Sequence, residues 1–219
     1  MKFDRETFFA VAPFAVWMVM LMVLPSNAQN YALRTVCSAL MLLPFASRLR
    51  KCDVSPKSAL RLALWSLAAG MLVFFLWVWP ESFSWYRKFC VIGADKAVCG
   101  KSPFEPGVCE NTLTAIRLIG SAFVIAPIEE IFYRSYLYRR LQSRDWQSVA
   151  LSKFDLSAFL WSVALFSLGH DRIVVAIIAG VVYQFVAIRA GLCASIIAHV
   201  ITNLVLGIWV IKTLSWSFW

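Results

Sequence analysis

The stretch IAPIEEIFYRSYLYRRL, residues 125–141, sets two adjacent carboxylates, Glu129 and Glu130, inside an apolar run that begins at Leu113 with LTAIRLIGSAFVIAP. An ionisable side chain within a membrane helix costs about 2.5–3.5 kcal/mol on insertion scales, so those that persist usually face the interior of a bundle and mark a working site. Neighbours in a helix point about 100° apart, so the two glutamates cannot share one role. Arg134 follows Glu130 by four residues, the spacing that places two side chains on one face. A Glu130–Arg134 pair would neutralise both charges and leave Glu129 to point elsewhere. The plainer alternative is that both glutamates pair with basic residues near the membrane surface, where Arg139 and Arg140 stand.

The rest of the chain says that this run does cross a bilayer. Of 219 residues, 61% are hydrophobic and 15% are charged, and the mean hydropathy is +0.72. A water-soluble domain is nearer half apolar. Several apolar runs approach the ~20 residues that a bilayer requires. They lack the short alternation of barrel strands, and a spanning segment must satisfy its own backbone. The fold class is therefore all-α, a multi-spanning transmembrane helix bundle. Seven segments are expected, at about 8–25, 31–47, 59–79, 111–141, 157–170, 172–189 and 191–213. The second and fifth are short. The first, FFAVAPFAVWMVMLMVLP, is too long and bulky for a signal peptide and is read as a retained helix. With no repeat and no low-complexity tract, residues 1–219 form a single integral membrane domain: N-terminal helices and an outer loop over 1–110, and catalytic core helices over 111–213.

Charge supplies the orientation. Lys2 and Arg5, then Arg48, Arg50, Lys51, Lys57 and Arg61, then Arg139, Arg140, Arg144 and Lys153 fall on one side, with Arg189 at the end of the sixth segment. The opposite loops carry no charge over 25–33 and a balanced set over 80–110. The positive-inside rule then puts the N-terminus in the cytoplasm and the C-terminus outside, with WSFW, residues 216–219, as an aromatic interfacial anchor. The net charge of +9 is explained the same way, and no nucleic-acid motif accompanies it. The six cysteines form no zinc pattern. Cys90, Cys99 and Cys109 share the outer loop, where Cys99 and Cys109 could bridge or all three could stay reduced.

The chain has only two histidines, His170 and His199, each read within its own apolar helix. Asn203 follows His199 by four residues and so shares its face, although a buried amide is unwelcome among valines and leucines unless bonded. At a rise of 1.5 Å per residue, Glu129, His170 and His199 lie roughly 15, 20 and 12 Å from the inner boundary, one layer within the boundary errors. A carboxylate and an imidazole can orient and deprotonate a water. An imidazole N–H and an amide can donate to an oxyanion. The set suits water-dependent cleavage of an amide bond. Glu129, His170 and His199 could instead hold zinc, though no HExxH motif is present.

Three motifs resemble those of the CPBP family, the CAAX protease and bacteriocin-processing intramembrane endopeptidases. EEIFYR resembles EExxxR, through Glu129, Glu130 and Arg134; FSLGH resembles FxxxH, through Phe166 and His170; HVITN resembles HxxxN, through His199 and Asn203. The first three helices and the closing KTLSWSFW are similar to a bacterial subgroup, the CAAX prenyl protease-related proteins associated with exosortase systems. The resemblance implies a glutamate-dependent endopeptidase. Glu129 with His170 would activate water, His199 and Asn203 would form the oxyanion hole, Glu130 with Arg134 would brace the site, and Phe166 would line it. It further implies a membrane-protein or lipidated-peptide substrate, a bacterial inner membrane location, and no required cofactor, with zinc as the alternative. Two other classes share these features: a proton-coupled transporter, which would lose transport with Glu129 yet cut nothing, and a non-catalytic immunity or assembly factor, which would keep its effect after Glu129→Gln.

Overall fold

The computed structural model describes residues 4–49, 56–90, 104 and 111–219. These residues are helical, with no strand among them. Helices α1 (Arg5–Val23), α2 (Ala28–Leu49) and α3 (Pro56–Val78) come first, followed by a short α4 (Ser84–Cys90). A continuous helix over 111–142, here α5, joins Asn111–Gly120, Ser121–Ile125, Ala126–Glu130, Ile131–Leu137 and Tyr138–Gln142. Then come α6 (Leu156–Ser167), α7 (Ile173–Ala190) and α8 (Leu192–Thr213). Among the described residues, four stretches are long and apolar enough to cross a membrane: Arg5–Val23, Ala59–Ser82, Ile173–Ala190 and Leu192–Thr213.

The expected seven segments correspond to α1–α3 and α5–α8, with three differences. Helix α2 is not short, because the Asn27 side chain accepts the Asn30 N–H at 2.8 Å and starts the helix three residues earlier than its apolar pattern does. Helix α6 is shorter than read: it stops at Ser167, where Gly169 N–H bonds the Phe166 carbonyl and His170 N–H the Ser167 carbonyl, a tightened closing turn. His170 therefore lies in a turn and not in a helix. The third is α4, which the 80–110 loop concealed. Cys99 and Cys109, the expected bridging pair, lie outside the described residues, as do Lys2, Arg50 and Lys51.

Helix α8 sits at the centre, packed on α3, α5 and α7. Its approach to α3 depends on small side chains. Thr202 Oγ1 donates to the Gly70 carbonyl at 2.9 Å, and Ser66 Oγ to the Ala194 carbonyl at 3.0 Å. Without a hydrophobic drive between helices in lipid, close backbone approach and interhelical hydrogen bonds supply the association. The outer faces are apolar too: Leu60, Leu64, Leu67 and Phe75 of α3 are exposed, as are Ile177, Val181 and Phe185 of α7. A helix apolar all round suits a lipid surround. At the α7–α8 junction Gly191 has φ +93°, a left-handed turn that a side chain would strain.

Candidate active site

The glutamates stand in the middle of α5, between two π-helical segments, Ser121–Ile125 and Ile131–Leu137. Pro127 has no N–H to offer the carbonyl four residues back, and the helix widens immediately before it. Such π segments recur at functional sites because they re-aim the side chains beside them.

Glu130 is wholly buried and fully engaged. Its carboxylate accepts from His199 Nδ1 at 3.0 Å and from the Ser195 hydroxyl, and it lies 3.3 Å from Arg134 Nε. Arg134 is equally buried; its guanidinium sits 4.5 Å from the Phe166 ring centroid, and its nitrogens have no directed hydrogen bond. The pair is thus an electrostatic contact clamped by an aromatic ring. Surface pairing of the two glutamates, the plainer reading, does not describe Glu130.

Glu129 differs. Its side chain is 14% exposed against 0% for Glu130, and it lines a cavity of about 260 Å³ together with Phe166, His170, His199 and Asn203. Its Oε2 faces His199 Nε2 at 3.8 Å. The His199 ring is stacked on Tyr183, centroids 4.6 Å apart and 20° from parallel. An ionised carboxylate only accepts hydrogen bonds, so Glu130 requires the proton on Nδ1 of His199. The ring therefore meets the cavity through Nε2.

His170 Nδ1 lies 3.0 Å from the Phe166 carbonyl, which fixes it as the donor and leaves Nε2 for the cavity. Its ring packs against Phe166 and Trp77, with centroids at 4.7 and 5.7 Å. Asn203 Nδ2 donates to the Ser121 carbonyl at 2.9 Å, across to the first π segment. All the expected site residues therefore gather at one cavity or directly behind it. His199 stands between the two carboxylates, 3.0 Å from Glu130 through Nδ1 and 3.8 Å from Glu129 through Nε2, while His170 shares the cavity with Glu129. As a metal centre the set fits poorly, because among the described residues no three His, Cys, Asp or Glu side chains converge on one point.

Ser195 and Tyr183 were not read from the sequence. Ser195 lies 65 residues from the carboxylate it serves; only its place one turn before His199 hinted at a shared face. In the aromatic tail Trp216 is buried, and Phe218 and Trp219 line the cavity, a contact that the sequence did not announce.

Residues 111–205 match the family model described as Type II CAAX prenyl endopeptidase Rce1-like. The matched range holds Glu129, Glu130, Arg134, Phe166, His170, His199 and Asn203. It leaves out α1–α3 and KTLSWSFW, on which the likeness to the exosortase-associated subgroup rests. No curated protein and no solved structure matches the chain.

Proposed function

We propose that the protein is an intramembrane endopeptidase of glutamic type, cutting peptide bonds of membrane-associated protein or peptide substrates with a water held at Glu129. The observation that carries this is the asymmetry of the two carboxylates: Glu130 is spent on Arg134, Ser195 and His199, while Glu129 faces the cavity beside His199 Nε2. Glu129 takes the proton of the attacking water, and His170, whose Nε2 is the ring nitrogen left for the cavity, steadies that water from a second side. As the carbonyl becomes tetrahedral, charge develops on its oxygen. Asn203 donates there through its second N–H, beyond the one given to Ser121, with His199 held beside it by Glu130. The proton on Glu129 then passes to the departing amine. The residues alone can carry each of these steps, and no step is assigned to a metal.

Four apolar spans and the family likeness of 111–205 support an integral membrane setting. The clusters at Arg48–Arg61 and Arg139–Lys153 support a cytoplasmic N-terminus and an outer C-terminus, to be checked with reporter fusions at each end.

The test uses purified wild type and Glu129→Gln in detergent, each incubated with a membrane-protein extract, with and without a chelator, reading new N-termini by mass spectrometry. Wild type should generate N-termini that Glu129→Gln does not, with a loss of about 10²–10⁴-fold, and the chelator should change nothing. Loss with chelator would move Glu129 and the histidines into a metal shell. Equal peptide patterns from both proteins would favour a non-catalytic role.

A further inference from the structure

Helix α5 presents Arg117, Ser121, Ile125 and Glu129 to the cavity, each four residues after the last. Arg117 thus stands at the far end of the stripe that carries Glu129, roughly 18 Å away at the α-helical rise. Its guanidinium is enclosed by rings: Tyr31 at 4.3 Å, Phe104 at 4.9 Å and Trp219 at 5.8 Å to the centroids. Its Nε is buried without a hydrogen bond. Behind the wall formed by Tyr31 and Trp17 lies a second arginine, Arg34, 4% exposed, 5.8 and 5.0 Å from those two ring centroids. Its Nε and Nη1 are also buried without partners. Among the described residues no carboxylate pairs with either arginine.

Two cations flanking one tyrosine, Arg34 buried and Arg117 half-buried at the cavity wall, are costly. An unpaired charge within a membrane protein normally has a named counter-ion, and cation–π contacts return only about 0.5–2 kcal/mol each. Arginine is also the side chain best shaped to grip a carboxylate with two parallel hydrogen bonds. We propose that Arg117, backed by Arg34, forms a subsite for a carboxylate of the substrate, placed within about five extended residues of the bond addressed by Glu129. The carboxylate comes either from a chain terminus or from an acidic side chain.

The inference rests on the peptide-cleaving reading of the cavity, so the test reads binding without turnover. Glu129→Gln protein in detergent is titrated by thermophoresis with acetylated hexapeptides of Ala, Val and Leu. One ends in a free carboxylate and one in an amide; a second pair ends in an amide and carries Asp or Asn at the fourth position. At least one carboxylate form should bind tenfold or more tighter than its neutral partner, and whichever pair shows the gap identifies the source. Arg117→Gln should erase that gap while leaving the neutral forms unchanged, and Arg34→Gln should narrow it. The ligand-free Arg117→Gln protein should melt no lower than its parent. Absence of a gap, absence of binding by any form, or a gap that survives Arg117→Gln overturns the proposal. So does an Arg117→Gln protein that melts lower or fails to fold, which makes Arg117 a structural residue. Arginine-dependent retention of phosphatidylglycerol in native mass spectra, without a peptide gap, gives the pair to a lipid phosphate and also overturns it. Loss of cleavage elsewhere leaves this binding result standing, so the two readings fail separately.

Discussion

Glu129 and Glu130 are the same chemical group one residue apart, and their environments separate them. Removing Glu130 strands Arg134, wholly buried and with no other carboxylate contact among the described residues, the case in which breaking a buried pair costs about 3–5 kcal/mol. Glu130→Ala should therefore fold poorly, melting well below wild type by circular dichroism in detergent. Glu129→Gln should melt within about 0.5 kcal/mol of wild type, as a change at a partly exposed polar position does. Equal losses in the two variants would contradict the assignment of roles. Much of this was legible beforehand: the i, i+4 spacing of Glu130 and Arg134, and of His199 and Asn203, follows from helix periodicity alone. What was not legible was long-range. Which histidine meets which carboxylate depends on how α5, α6 and α8 rotate against one another, and His170 reaches the cavity from a closing turn and not from a helix. Ser195 and Tyr183 contribute through contacts that no local pattern encodes.

At the scale of elements, apolar runs located α1–α3 and α5–α8, because a bilayer demands them, while the π segments and α4 carry no comparable signal. Close packing was equally silent. A Cβ on Gly70 would stand 2.7 Å from the Ala198 carbonyl oxygen and 2.8 Å from Ile201 Cβ. Backbone cannot rotate aside, so Gly70→Ala must part α3 from α8, a strain of about 1–3 kcal/mol. Because Ala198 precedes His199, the same variant should lose cleavage out of proportion to its lower melting point. The N-terminus of α1 offers a pH test. Asp4 accepts the Thr7 backbone N–H at 2.7 Å and Gln147 Nε2 at 2.6 Å, and Trp146 Nε1 bonds Thr7 Oγ1 at 3.0 Å, tying α1 to the turn after α5. The Thr7 backbone N–H, with help from the Thr7 hydroxyl, holds the Asp4 carboxyl below its ordinary 3.8. A depressed carboxyl stabilises the fold above its unfolded value and loses that contribution as pH falls through the folded one. Asp4→Ala should thus melt below wild type at pH 7, with the gap closing once the pH drops beneath 3.8. A gap that persists there would place the effect elsewhere than in the carboxylate.

Across the whole molecule, Arg172 ties three distant parts together. It pairs with Glu81, just past α3, donates Nη2 to the Ser217 carbonyl at 3.0 Å, and lies 4.3 Å from the Phe218 ring centroid. It stands two residues after His170, so the tail that follows α8, the turn that carries His170 and the end of α3 form one wall of the cavity. Composition foretold the aromatic tail but not its inward turn, since the partner that draws it in is an arginine more than forty residues away. Arg172→Ala removes one hydrogen bond and one cation–π contact from the tail, together about 1–2 kcal/mol. Local opening of that size raises amide exchange roughly tenfold. The amides of Phe218 and Trp219, which bond the Ser215 and Trp216 carbonyls, should exchange about ten times faster in Arg172→Ala, while those of central α7 keep wild-type protection. Faster exchange throughout α7 as well would mean that Arg172 holds the bundle together; no change at the tail would mean that the packing of Trp219 against Gly207 suffices to keep the cavity closed on that side.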